Sequence, residues 1–197
     1  MIVYFRPMRY KDELKKEAII EATVKLVNEI GFVSSSVSKI AKEANVSPAT
    51  IYIYYKNKED LLVSTYVEIK KNLSIALLKD FNPNLPIRDI LQALWLNMFD
   101  YTSKRANHFK FAEQFSSSPF AGLVNKNEVE KSFEPVISIL KKGIEQKIIK
   151  DVHFDILAAF IFFPIYTLSN SRLCESIKLE KETIETAFTL AWDAIKL

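Results

Sequence analysis

Three features of the sequence predict an all-α fold. Apolar residues recur every three or four positions from end to end, no stretch alternates apolar with polar residues as a half-buried strand does, and glycine is confined to Gly31, Gly122 and Gly143. Within that class the expected layout has two parts, an N-terminal three-helix unit over residues 1–57 and a larger helical domain over 58–197. A chain of 197 residues, 49% of them hydrophobic, has the material for a substantial core.

The elements follow in order. Asp12 is the expected N-cap of ELKKEAIIEATVKLVNEI, a short helix that buries Ile19, Ala22, Leu26 and Ile30. Gly31 ends it in a left-handed conformation, after which Phe32 folds back on Val27. Ser34, Ser35 and Ser36 offer an N-cap for VSKIAKEA, with Val37, Ile40, Ala41 and Ala44 inward. Asn45 tolerates the positive φ that stops this helix. Ser47 then caps a helix barely two turns long, and Pro48 suits its first position because the missing N–H has no partner there.

A long amphipathic helix is predicted from Lys58 to Lys79, carried by Leu62, Tyr66, Ile69, Leu73 and Ala76, until the proline-bearing link DFNPNLP stops it. The next runs from Ile87 to Lys104, its apolar face widened by Trp95 and Phe99. After the segment HFKFAEQF and the loop SSSPFAGLVNKN, a stripe of Val129, Phe133, Val136, Leu140, Ile144 and Ile148 predicts one helix. Another is expected from Ile156 to Cys174, bent by Pro164, and a last from Lys181 with Ile184, Phe188, Ala191, Trp192 and Ile195 along one side.

Several function classes drop out. The net charge of +3, from 27 basic and 24 acidic residues, announces no polyanionic partner unless the charge is local. A lone cysteine and the absence of a signal-like N-terminus lead to a cytoplasmic expectation. The most apolar run, Ile156–Leu168, is well short of the roughly 20 residues that span a bilayer, so no membrane partner is expected. The three glycines are too scattered for a phosphate-cradling loop, His108 and His153 lie far apart, and Ser116–Ser118 lack a nucleophile-elbow context. No catalytic set, cofactor or metal site is expected, and Asp151, His153 and Asp155 read as a polar helix start.

The stretch NVSPATIYIYYKNKEDLL points elsewhere. A helix this short needs tertiary packing, supplied by Val46 and Ile51, and this leaves Pro48, Ala49, Thr50 and Tyr52 outward. Two short helices joined by a tight turn form a helix-turn-helix. Small residues at its leading end let the second helix approach base edges in a major groove, threonine bonds or touches a thymine methyl, and tyrosine hydroxyls reach phosphates. Lys58, in the first turn of the next helix, opposes that helix's dipole unless an anion sits there. Between Ser34 and Lys58, Lys39, Lys42, Lys56 and Lys58 stand against Glu43 alone, a local excess of +3.

GFVSSSVSKIAKEANVSPATIYIYYKNKEDLL resembles the DNA-binding domain of the TetR family of bacterial transcriptional regulators, with Asn45 where glycine is common. By position, the resemblance implies that Ser36 and Lys58 anchor phosphates, that Ser38, Pro48, Ala49 and Thr50 face bases, and that Tyr52 and Tyr54 contact the DNA backbone. The basic residues Arg6, Arg9 and Lys11 ahead of the first helix read as a solvated tail.

The resemblance further implies a homodimer on an operator in double-stranded DNA and a C-terminal ligand-binding and dimerisation domain. Phe188, Trp192 and Ile195 are the candidate dimer surface. Trp95, Phe99 and Phe133 are candidate walls of an apolar effector pocket, with Arg105 or His108 for a polar head. A ligand that favours misplaced reader helices weakens DNA binding, which makes a ligand-responsive repressor. The alternative is a helical small-molecule carrier whose helix-turn-helix reads no DNA.

Overall fold

The computed structural model describes residues 7–170, 174 and 180–197, the first five of these as backbone. Its helices are α1 (Pro7–Ser34), α2 (Val37–Glu43), α3 (Pro48–Tyr54), α4 (Lys58–Leu77), α5 (Ile87–Lys104), α6 (Ala106–Ser116), α7 (Lys126–Ser132), α8 (Glu134–Glu145), α9 (Phe154–Ile161), α10 (Phe163–Leu168) and α11 (Lys181–Ile195). The fold is all-α, as expected; among the described residues the only extended pairing is an isolated bridge between Ile149 and Lys196.

The chain packs into two compact units. One combines residues 1–69 with 107–124, and the other combines 70–106 with 125–197. These packing units are not the functional division expected at Lys58, because α4 begins in the first and ends in the second.

In the first unit α1 is longer than expected. It begins by Pro7, so Asp12 lies inside the helix rather than capping it, and its carboxylate accepts the Tyr54 hydroxyl instead. Gly31 breaks the helix at φ 77°, ψ 168°, a combination that only glycine adopts without strain. Arg6 lies outside the described residues, and Arg9 and Lys11 are on the α1 backbone rather than in a tail. Ile19 and Ala22 are buried as expected, whereas Ile30 is exposed because the break at Gly31 ends the buried stripe one turn earlier. A small core of Ile19, Ala22, Ile40, Ala41, Ile51, Tyr55 and Leu61 holds α1, α2 and α3 together. A second cluster joins Val24 and Val27 to Leu62, Ile69, Phe111 and Phe115. Phe32 packs against it through the rings of Phe111, Phe115 and Phe120, with centroids 5.6–6.2 Å apart.

Polar contacts complete the seam between α1 and α6. The Asn28 amide donates to the Asn107 carbonyl at 2.8 Å, Gln114 donates to the Asn28 side chain at 2.9 Å, and His108 Nε2 lies 2.8 Å from Glu21 Oε1.

The second unit has one large core in which α5 is central, with Ile90, Leu91, Leu94 and Trp95 all under 3% exposed. Expected continuous helices are broken where proline occurs. The Val129–Ile148 stripe divides at Phe133, with Pro135 in the first turn of α8, and the Ile156–Cys174 stretch divides at Phe162, with Pro164 in the first turn of α10. Proline lacks the donor that a continuing helix requires, so each becomes a helix start. His153 caps α9, accepting from the Asp155 N–H at 3.3 Å, so Asp151–Asp155 is the polar helix start that was expected. Gly143 allows α8 to meet its neighbours, since a Cβ there stands 2.5 Å from Ile149 Cδ1. Among the described residues no helix is long and apolar enough to cross a membrane.

Candidate nucleic-acid interface

The reader segment is built by caps. Ser36 is extended at φ −76°, ψ 154°, and its Oγ accepts from the Lys39 N–H at 3.3 Å, starting α2. Asn45 has φ 55°, the left-handed turn its side chain tolerates, and the Val46 N–H returns to the Ala41 carbonyl at 2.9 Å. Ser47 caps α3 by accepting from the Thr50 N–H at 3.1 Å, and its hydroxyl also pairs with the Thr50 hydroxyl at 2.9 Å. Only Ile51 of α3 is buried. The seven-residue helix therefore rests on one apolar anchor, its cap and the half-buried Val46 and Tyr54.

The outward face is small and polar at its leading end. Pro48 and Ala49 are exposed, Thr50 is half-buried beside its cap, and Tyr52 is 56% exposed. Ser36 and Ser38 are exposed on α2. Tyr54 is half-buried: its hydroxyl donates to Asp12, Lys16 lies over its ring at 5.3 Å, and the hydrogen bond to Asp12 raises its pKa. Tyr55 belongs to the core, and burial pushes its phenol up to about 12.

Lys58 opens α4 and donates to the Val33 carbonyl at 3.3 Å. The cap of α4 is a feature that pattern reasoning passed over. Asn57 Oδ1 accepts from the Asp60 N–H at 2.8 Å, and Asp60 in turn accepts from the Lys56 N–H at 2.8 Å. The signal was present as Asn57 and Asp60 three residues apart, the spacing of a capping box. Ile53, 76% exposed on α3, was likewise passed over, since an apolar residue reads as core when its face is unknown.

Residues expected around an effector are distributed differently. Trp95 is fully buried, donates Nε1–H to the Ile161 carbonyl at 2.8 Å, and stacks on Phe99 at 5.7 Å and 9°. Phe133 is half-buried against the same core. Arg105 ends α5 in the same unit, whereas His108 belongs to the first unit, 7% exposed and held by Glu21. The second unit instead shows an open, mainly apolar groove of about 610 Å³ along α9, α10 and α11, lined by Phe160, Phe163, Thr167, Leu168, Leu190 and Ala194.

Comparison with known proteins covers most of the chain. Residues 19–65 match the model described as bacterial regulatory proteins, tetR family, and residues 86–196 match the Tetracyclin repressor-like C-terminal domain. A TetR family transcription regulator from Marinobacter aquaeolei VT8 superposes with a TM-score of 0.89 at 36% identity, covering 96% of this chain and 99% of that one. The chain belongs to the TetR family. An uncharacterized HTH-type transcriptional regulator of Haemophilus influenzae is 26% identical over 91% of this chain and 95% of its own length. The Bacillus subtilis regulator FadR, solved in complex with stearoyl-CoA, shares the fold at TM-score 0.69 and 24% identity, covering 91% of this chain and 98% of that one. TetR regulators are helix-turn-helix proteins of transcription that bind DNA operators, and the α2–α3 pair is the helix-turn-helix of this member.

Proposed function

We propose that this TetR protein is a homodimeric, ligand-responsive repressor whose α3 enters the major groove of its operator. The observation that carries the reading is the presentation of α3: a Ser47-capped helix anchored by Ile51, with Pro48, Ala49 and Tyr52 left open to solvent. Ser38, Pro48, Ala49 and Thr50 face bases; Ser36, Tyr52, Tyr54 and Lys58 hold the phosphate backbone. A second copy covers the apolar face of α9–α11 and places the two reader helices about 34 Å apart, one DNA turn. An effector bound in the second unit favours another spacing and releases the operator, and DNA weakens effector binding by the same factor. Long-chain acyl thioesters are the first class of effector to screen, because the FadR structure that shares this fold holds stearoyl-CoA.

Mobility-shift titrations on an operator selected from random duplexes test this reading. Lys58→Ala lowers affinity for all sequences and reduces the salt slope by about 0.9 per half-site, while Thr50→Ala chiefly alters base preference. Failure of the wild-type protein to select any duplex at low salt overturns it.

A further inference from the structure

Two lysines from different helices converge on the short segment that follows the break at Gly31. Lys39, in the first turn of α2, donates Nζ to the Ser34 carbonyl at 3.0 Å; Lys58, at the start of α4, donates Nζ to the adjoining Val33 carbonyl at 3.3 Å. Each ammonium has three N–H donors, so these bonds fix the position of the charge and leave donors over.

Two carboxylates of the same segment have other partners. Glu43 binds Lys25 at 2.5 Å, and Asp60 closes the α4 cap on the Lys56 N–H. Among the described residues neither Lys39 nor Lys58 has a carboxylate within ion-pair distance. Two ammonium groups held on successive carbonyls without a counter-charge make a local excess of positive charge that favours an anion.

We propose that Lys39 is a phosphate-binding residue and that, with Lys58, it forms a two-ammonium clamp on adjoining phosphates of one DNA strand. The inference rests on the DNA-reading function proposed above and adds to it a contact from α2. The carbonyl bonds hold both side chains in place before DNA arrives, which lowers the ordering cost that a free lysine bears on binding. Charge-assisted bonds to phosphate then supply the counter-charge.

The test measures operator affinity against salt for the wild type, Lys39→Met, Lys39→Arg, Lys181→Ala and the Lys39→Met/Lys58→Ala double variant. Methionine keeps the length and apolar stem of residue 39 while removing its charge. Lys39→Met lowers the slope of log affinity against log salt by about 0.9 per half-site, and the double variant by about twice that. Between 50 and 200 mM salt, a single loss makes binding about 3.5-fold less salt-sensitive per half-site. Lys39→Arg retains the wild-type slope, as does the control Lys181→Ala, a lysine of the other unit.

An unchanged slope for Lys39→Met, or an equal fall in Lys181→Ala, overturns the clamp while the wild type still binds. A wild type that binds no duplex overturns the underlying reading instead. Thermal melts of each variant identify loss of fold, and the Lys39→Arg result then decides: a slope reduced like that of Lys39→Met, in a folded variant, also overturns the clamp.

Discussion

Seven residues form α3 and eighteen form α5, and the two helices direct their side chains in opposite ways. In α5, Ile87, Ile90, Leu91, Leu94, Trp95, Met98, Phe99 and Thr102 are buried; in α3 only Ile51 is, while Tyr52 and Ile53 are largely open. Both contain bulky aromatic or aliphatic residues. In α5 they are consumed by packing, so that helix needs little help from its ends. In α3 they are held outward, so its stability falls on the cap and on one anchor. A surface prepared for a partner is therefore marked by apolar groups that folding leaves uncovered, not by apolar richness.

The largest expected effect breaks α5. Trp95→Ala removes a fully buried indole and leaves the Ile161 carbonyl without its donor, for a loss of about 3–5 kcal/mol measured by urea unfolding. A loss under about 1 kcal/mol contradicts the assignment of Trp95 to packing. Ser47→Ala sharpens the other side: stability falls by about 1 kcal/mol, and operator affinity falls with it because α3 frays at the end that meets bases. Operator binding unaltered by this change means that the cap does not govern presentation of α3.

The smallest effect at ordinary pH is at Tyr55. Its folded pKa is raised from 10.0 to about 12, so folding favours the neutral phenol. Its contribution is complete below pH 10 and is lost as pH rises from 10 towards 12. An alkaline titration followed by tyrosinate absorbance and by amide exchange finds the α1–α3 core loosening over that window. Protection of the α5 core should persist to higher pH, because no ionisable group is among its buried residues.

Signals that act over a few residues were legible in the sequence. The bounds of α5, the left-handed Asn45, the Ser36 and Ser47 caps and the outward placement of Pro48, Ala49 and Tyr52 all depend on near neighbours. Features that depend on distant packing were not. Phe188, Trp192 and Ile195, expected as dimer surface, are 0%, 7% and 2% exposed and belong to the core of the second unit. Periodicity locates both apolar edges of α11 but does not say which edge meets α5 and α9; the uncovered edge is that of Leu190 and Ala194. His108 falls under the same heading, since its partner Glu21 is 87 residues away.

The uncovered edge has a consequence for how this protein responds to its own abundance. Phe160, Phe163 and Leu190 are each more than half exposed, so every isolated copy carries wetted aromatic and aliphatic surface. If self-association removes that surface from water, folding becomes subject to mass action: dilution lowers the melting point, and a cell holding few copies keeps a larger fraction of them unpaired and idle.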